Sequence, residues 1–262
     1  MKKIMFAAAL AASMIALGEV ESGVVGYMNK AKVSGYNFAC YGSMFLKPGQ
    51  TSYSLAELQI TGPTTKNIAR MNYIQFFAAG NAARFDSARA YYYFGGKWWS
   101  RTGTTATNDP EVSDPSSVTM DAGIGFLACF PLATAKIVYA GEVITGDEKK
   151  IAIEKPSGVN FFVANNPSAS DLTLDDITIT GPSNKNIARM NYIQFFATGN
   201  AARFESSRSY YYFGGKWWSR TGTTATNDPE VSDPTTVSIP AGEGFLVCFP
   251  LATARLNFPT SL

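Results

Sequence analysis

The chain contains one long segment twice. Residues 60–136 align with residues 179–255 at a constant offset of 119, and 63 of the 77 aligned positions are identical. Upstream the match is weaker, although "SGYNFACYGS" (34–43) still corresponds to "SGVNFFVANN" (157–166). A period of about 120 residues is far longer than that of solenoid repeats. The duplication therefore predicts two whole homologous modules.

Hydrophobic periodicity within each module favours β-strands. "TTVSIPAGEGFLVCF" (235–249) begins with polar and apolar residues in alternation, turns at "PAG", and ends in a continuous apolar run typical of a strand covered on both faces. "LTLDDITITG" (172–181) alternates in the same way, and "NYIQFF" (191–196) has a strand composition. "NAARFDSARA" (81–90) fits either a short helix or a strand, and we favour the strand.

The duplicated block "YYYFGGKWW" (91–99 and 210–218) predicts a hairpin, because a Gly-Gly pair between two aromatic runs is a tight-turn signal. These patterns give about seven to nine short strands per module. The predicted fold is all-β, with two tandem homologous modules of β-sandwich or barrel-like form. The predicted boundaries are 1–18 for a signal peptide, 19–142 for module 1 and 143–262 for module 2, with a seam rich in turn-forming residues near 140–147.

The N-terminus has the layout of a cleavable secretory signal. Lys2 and Lys3 precede an apolar run at residues 4–17, small residues surround a cleavage position after Gly18, and acidic residues follow. We therefore expect an exported protein, located outside the cell or at its surface. No second apolar run is long enough to span a bilayer, so no membrane span is expected in the mature chain.

Composition argues against several functional classes. Lys plus Arg number 22 and Asp plus Glu number 20, a balance that offers no electrostatic footprint for nucleic acid. The chain has no histidine, which removes the commonest general base and the usual transition-metal ligand. Glycoside hydrolysis can use two carboxylates alone, but the sequence offers candidates by residue type only. We predict a protein that is not an enzyme and has no cofactor.

The loop "TNDPEVSDP" is the one candidate for metal binding. Its oxygen-bearing side chains are of the type that Ca²⁺ prefers, although the spacing lacks the pattern of an EF-hand. Asp-Pro and Asn-Asp also form turns in their own right, so a solvated turn is the competing interpretation. The weak calcium candidates are Asp109, Glu111, Asp114, Asp228, Glu230 and Asp233.

The aromatic hairpins are the candidate binding surface, either for another protein surface or for a glycan. Neighbouring strand residues point to opposite faces, so Trp98 and Trp99 cannot form one platform, and one set of rings is expected to fill the core. The binding candidates are Tyr91, Tyr93, Trp98, Trp99, Tyr210, Tyr212, Trp217 and Trp218. Cys129 and Cys248 occupy matching apolar runs, which predicts buried thiols. Cys40 aligns with Val163 and has no cysteine counterpart, so a bridge to another chain stays open for it.

Several motifs resemble a repeat found in uncharacterised exported bacterial proteins. They are "GVVGYMNK" after the signal, "SGYNFACYGS" and "SGVNFFVANNPSASDLTLDDI", and "PAGEGFLVCFPLATARLNF". The proteins of this type carry a VVGY start, a GFNLIANP-like strand, a YxYxxGxW hairpin and a PGEGFFV-like closing strand. The resemblance implies an exported β-module of the cell envelope or exterior without a known catalytic site.

The duplication leads to a functional hypothesis. Near-identical modules expose near-identical surfaces, so a head-to-tail contact between them could propagate into a filament or layer. We expect a noncatalytic secreted structural protein whose partner is itself, with the divergent openings of the modules (24–59 and 143–178) distinguishing the two ends or tuning the junction. The alternative is a bivalent protein that binds cell-surface carbohydrate through the Trp and Tyr rings of the hairpins.

Overall fold

A computed structural model describes residues 25–31, 35–47, 49–67, 69–78, 80–102, 108–132, 134–143, 152–154, 158–186, 189–222, 227–251 and 253–259. The predicted signal peptide, and residues 144–147 of the predicted seam, lie outside the described residues. No helix in these ranges has the length and hydrophobicity needed to cross a bilayer.

The described residues form short β-strands and single turns of 3₁₀ helix, which confirms the all-β prediction. Repeat 1 consists of β1 Val25–Ala31, β2 Phe38–Tyr41, β3 Phe45–Leu46, β4 Ser52–Ser54, β5 Leu58–Thr61, β6 Tyr73–Phe77, β7 Phe85–Phe94, β8 Lys97–Ser100, β9 Thr119–Asp121, β10 Phe126–Cys129 and β11 Lys136–Val143. Its 3₁₀ turns are Leu55–Glu57 and Pro115–Ser117.

Repeat 2 has a similar succession of elements, except that the described residues contain no counterpart of β3. It consists of β12 Ala152–Glu154, β13 Phe161–Asn165, β14 Leu172–Thr173, β15 Thr178–Thr180, β16 Tyr192–Phe196, β17 Phe204–Phe213, β18 Lys216–Ser219, β19 Ser238–Ile239, β20 Gly244–Cys248 and β21 Arg255–Asn257. Its 3₁₀ turns are Leu174–Asp176 and Pro234–Thr236.

Each repeat is built on an antiparallel five-stranded sheet. The order is β2-β10-β6-β7-β8 in repeat 1 and β13-β20-β16-β17-β18 in repeat 2. A smaller sheet faces each one: β1, β3 and β5 around β11, and β12 and β15 on either side of β21. The result is a sandwich-like arrangement in which each repeat has its own hydrophobic core.

Strand alternation explains how the central strands are buried on both faces. In β10, Phe126 and Ala128 point into the core of repeat 1, whereas Leu127 points the other way. In β20, Phe245 and Val247 point into the core of repeat 2, and Leu246 points away from it. The prediction that this apolar run is covered on both faces is confirmed. The second covering layer is the other repeat.

One local prediction needs correction. Residues 172–181 do not form one strand, because the 3₁₀ turn Leu174–Asp176 interrupts them. The Asp176 carboxylate accepts hydrogen bonds from the amide and hydroxyl of Thr173 at 2.7 and 2.8 Å, which fixes the turn and directs Leu174 and Ile177 into the core. β11 ends at Val143, within the predicted seam, where Glu142 and Val143 pair with β3.

Candidate functional site

The aromatic hairpins have the predicted form. In repeat 1, β7 and β8 pair with Tyr92 opposite Trp99 and Tyr93 opposite Trp98. Gly95 and Gly96 make the turn with φ angles of +63° and +79°, a conformation that favours glycine at both positions. Repeat 2 reproduces the register and the turn.

One face of each hairpin belongs to the core. Trp98 is 3% exposed and meets Tyr93 edge-to-face at a centroid distance of 5.3 Å. Tyr91 is half-buried against the same cluster. Trp217, Tyr212 and Tyr210 have the equivalent positions in repeat 2. Because Trp98 and Trp217 have no open ring face, we assign them to packing and not to ligand contact.

The other face of the hairpin carries a second aromatic cluster. Tyr92 is fully buried and lies parallel to Trp99 at a centroid distance of 6.5 Å, while the Trp99 indole donates a hydrogen bond to the Phe94 carbonyl at 3.1 Å. The Lys66 ammonium lies 3.2 Å from the centroid of the Trp99 ring. Lys185 lies at the same distance from Trp218 in repeat 2. Each half-exposed indole is therefore covered by a lysine of its own repeat through a cation–π contact.

The carboxylates proposed as calcium ligands in repeat 1 have separate structural partners. The buried Asp109 accepts hydrogen bonds from the amide and hydroxyl of Thr102, both at 2.9 Å. The exposed Glu111 forms an ion pair with Lys97 at 2.9 Å. Asp114 caps the 3₁₀ turn Pro115–Ser117, and hydrogen bonds from Ser116 lower its pKa. Asp228, Glu230 and Asp233 make the same three contacts in repeat 2.

These contacts favour the turn interpretation over calcium. No group of three or more His, Cys, Asp or Glu side chains within the described ranges is arranged to hold a metal ion. The loop also protects the edge of β8, because the Val112 amide donates to the Trp98 carbonyl and the Ser100 amide donates to the Pro110 carbonyl, both at 2.9 Å.

A buried polar pair connects the loop to the hairpin. Burial raises the pKa of Tyr92 to about 12, and the nearby Asp109 carboxylate adds to the rise. Tyr211 and Asp228 repeat this arrangement. The Tyr92 hydroxyl thus stays protonated throughout the physiological pH range and is suited to a structural role.

The two repeats also pack directly on each other, which sequence reasoning did not resolve. The Phe38 amide donates to the Gly199 carbonyl at 2.9 Å, and the equivalent Phe161 amide donates to the Gly80 carbonyl at 3.2 Å. The residues exchange roles between the two bonds, since Phe38 aligns with Phe161 and Gly80 with Gly199. The contact is therefore reciprocal, as in a twofold-symmetric dimer, and not the head-to-tail contact considered from the sequence.

A second reciprocal pair of hydrogen bonds lies at the far ends of β2 and β13. The Gly42 amide donates to the Gly242 carbonyl at 3.0 Å, and the Asn165 amide donates to the Gly123 carbonyl at 2.8 Å. These bonds cover the outer edges of the two strands, which would otherwise be open for pairing with other chains.

Aromatic rings fill the centre of this interface. The equivalent residues Phe85 and Phe204 stack on each other at a centroid distance of 6.1 Å, so the approximate twofold axis passes between them. Phe77 and Phe196 flank the stacked pair edge-on. The remaining apolar residues around them are Phe38, Cys40, Leu127, Phe161, Val163 and Leu246.

The two repeats differ at one charged position of this interface. Glu243 lies opposite Tyr41, whereas Ile124 has the equivalent place opposite Ala164. Burial raises the pKa of Glu243, and the positive charges of Arg208 and Lys30 partly oppose the rise. Burial also lowers the pKa of Lys30.

Cys129 and Cys248 are buried as predicted, Cys40 is buried as well, and no disulfide joins the three. Cys40 belongs to the interface between the repeats, where burial raises the pKa of its thiol. Cys129 and Cys248 lie at the ends of β10 and β20, opposite Tyr73 and Tyr192.

No protein-family model, no curated protein and no solved structure matches the chain.

Proposed function

We propose that the chain is a noncatalytic structural protein, exported to the cell surface or beyond, that self-associates into filaments or layers. The observation that carries this proposal is the reciprocal interface between the repeats. It joins two hydrophobic cores through paired main-chain hydrogen bonds and a buried aromatic centre, so the two repeats form one packed block.

The positions of the reactive side chains support a structural role. The candidate carboxylates of the loop satisfy main-chain amides, cap a turn or form a surface ion pair. The hairpin aromatics fill the core or lie under a lysine of the same repeat. These candidate carboxylates and aromatic rings are thus engaged in holding the fold.

The symmetry of the block supports self-association. Two repeats related by an approximate twofold axis present the outer surfaces of their near-identical segments (60–136 and 179–255) twice, in different directions. A block with two equivalent contact surfaces can link into a chain, whereas a block with one such surface stops at a dimer. The proposed function therefore requires a contact that extends beyond the single chain.

Electron microscopy and the concentration dependence of the mass of the mature protein test this proposal. We expect particles larger than one chain at high concentration and ordered assemblies in micrographs. A protein that stays strictly monomeric up to millimolar concentration would overturn the assembly proposal. N-terminal sequencing of secreted material tests export, with cleavage expected after Gly18.

Glycan binding is the second candidate, and one observation favours it. Trp99 and Trp218 are half-exposed at equivalent places, and the outer contact on each ring is the lysine. A sugar ring could replace the lysine on the indole face, since both bind aromatic surfaces. Glycan-array binding that disappears in Trp99→Ala/Trp218→Ala and persists in Lys66→Ala/Lys185→Ala would favour this candidate. Equal binding by both double variants would reject it.

A further inference from the structure

Gly42 and Asn165 occupy the same position in the two repeats and meet each other at the interface. Both follow the strand segment that pairs with the other repeat, and both donate their amide to a glycine carbonyl there. The side chain of Asn165 fills the space beside Gly42. The contact between the repeats is otherwise reciprocal, but at this position repeat 2 contributes a side chain and repeat 1 contributes none.

The fit at this position is close. A Cβ atom built on Gly42 would lie 2.2 Å from Oδ1 of Asn165 and 2.8 Å from its Cβ. The second distance involves an atom fixed by the backbone, so turning the amide would not relieve the overlap. The φ angle of Gly42 lies outside the left-handed region, so the contact with Asn165 requires glycine here, and the backbone conformation does not.

Asn165 also supplies hydrogen bonds that glycine cannot. Its side chain is completely buried, and Nδ2 donates to the Ser43 carbonyl at 3.1 Å, across the interface, and to the Asn166 carbonyl at 2.9 Å. The bond to Ser43 satisfies a carbonyl of the opposite repeat in a site closed to water.

These contacts distinguish unlike pairs of repeats from like pairs. If two copies of repeat 2 met through this surface, Asn165 would face a second Asn165 and the side chains would overlap. If two copies of repeat 1 met, Gly42 would face glycine, leaving an empty space and a Ser43 carbonyl without its donor. Overlap and voids both destabilise a packed interface.

We propose that the surface around Gly42, which contacts the Asn165 surface of repeat 2 within the chain, is a docking surface for the Asn165 surface of a second copy of the chain. Chains then self-associate by exchanging this pairing: repeat 1 of one chain binds repeat 2 of the next. Two chains exchanging both repeats form a closed dimer, and exchange with successive chains forms a linear polymer. This inference rests on the self-association proposed above and assigns it to the surface between the repeats, in place of an outer surface of the block.

Two full-length variants with complementary defects provide the test. In Gly42→Asn, an asparagine faces Asn165 within the chain, and in Asn165→Gly, glycine faces Gly42. When the two variants are mixed, unfolded together and refolded, each defective repeat can find its complement only in the other chain. Exchange restores an asparagine–glycine contact at both interfaces of a 1:1 dimer.

We expect the mixture to give a species with twice the mass of one chain that contains both variants, which isotope labelling of one variant identifies by mass spectrometry. Neither variant alone should form such a dimer, and the unfolding temperature of each should lie several degrees below that of the wild type. The double variant Gly42→Asn/Asn165→Gly should recover most of the lost unfolding temperature, because its own two repeats restore an asparagine–glycine contact. The stability of the double variant can be measured even if Gly42→Asn alone does not fold.

A mixture without 1:1 dimers, or a double variant no more stable than Gly42→Asn, would overturn the inference. The result is separable from the fate of the proposed function. Wild-type assemblies together with a failed mixing experiment would indicate association through another surface. Mixed dimers together with a strictly monomeric wild type would support the selectivity of the docking surface and overturn the proposed structural function.

Discussion

Gly244 is the position where the close packing of the repeats can be tested most directly. A Cβ atom added there would lie 2.9 Å from Cβ of Cys40 and 3.0 Å from its carbonyl carbon, so main-chain atoms must move. Overpacking of this kind lowers the free energy of unfolding by about 1–3 kcal/mol. The lower conformational entropy of the unfolded alanine variant raises it by about 0.4–1 kcal/mol. We expect Gly244→Ala to lose about 1–2 kcal/mol, which lowers the unfolding temperature by roughly 2–8 °C.

Gly199→Ala is the matched control for this experiment. Gly199 lies in the same interface and its φ angle is also outside the left-handed region, but the nearest atom to an added Cβ is the Ala197 carbonyl oxygen at 3.8 Å. The control should match the wild type or exceed its stability slightly. Urea unfolding followed by tryptophan fluorescence measures both variants. Equal midpoints for Gly244→Ala and Gly199→Ala would refute the interface as described.

Three further predictions concern single side chains. Trp98→Ala should lose about 3–5 kcal/mol of unfolding free energy because a buried indole leaves a cavity, and Trp99→Ala should lose less in the same urea titration because its ring is half-exposed. Burial raises the pKa of Glu243, so the stability linked to its protonation is present below the ordinary pKa of about 4.3 and lost as pH rises through the raised value. The unfolding temperature of Glu243→Gln should therefore be higher than that of the wild type at pH 7 and approach it towards pH 4, as measured by thermal unfolding across this pH range. Gly96→Ala should lose about 1–2 kcal/mol by urea unfolding, because φ is +79° at this turn position.

The parts of the fold that depend on local signals could be predicted from the sequence. The strand at 192–196 and the Gly-Gly hairpin follow from composition and turn chemistry within a few residues. The segment 172–181 misled because an alternating pattern does not show that Asp176 binds the main chain three residues back. A side-chain cap of this kind competes with strand pairing and is decided by geometry.

The candidate site depended on contacts between distant residues. Alternation along β7 correctly separated Tyr91 and Tyr93 from Tyr92, but it could not show that Lys66, far upstream, covers Trp99. The sequence contains one indication of the interface between the repeats. Leu127 is apolar although it lies on the face of β10 that the core of its own repeat does not cover. That signal indicates a second covering layer and does not identify it.

The differences between the repeats bear on why the duplication is useful to the protein. If the repeats were identical, a repeat would bind a second copy of itself as readily as it binds the other repeat of its chain, because a reciprocal contact between equal surfaces has no preference. The sequence differences Gly42/Asn165 and Ile124/Glu243 lie where the repeats meet. Gly42 and Asn165 also belong to the divergent openings, which the sequence suggested would tune the junction. Divergence at these positions converts a surface able to bind its own kind into two surfaces that require each other, and this preference allows a fused pair to form one defined block.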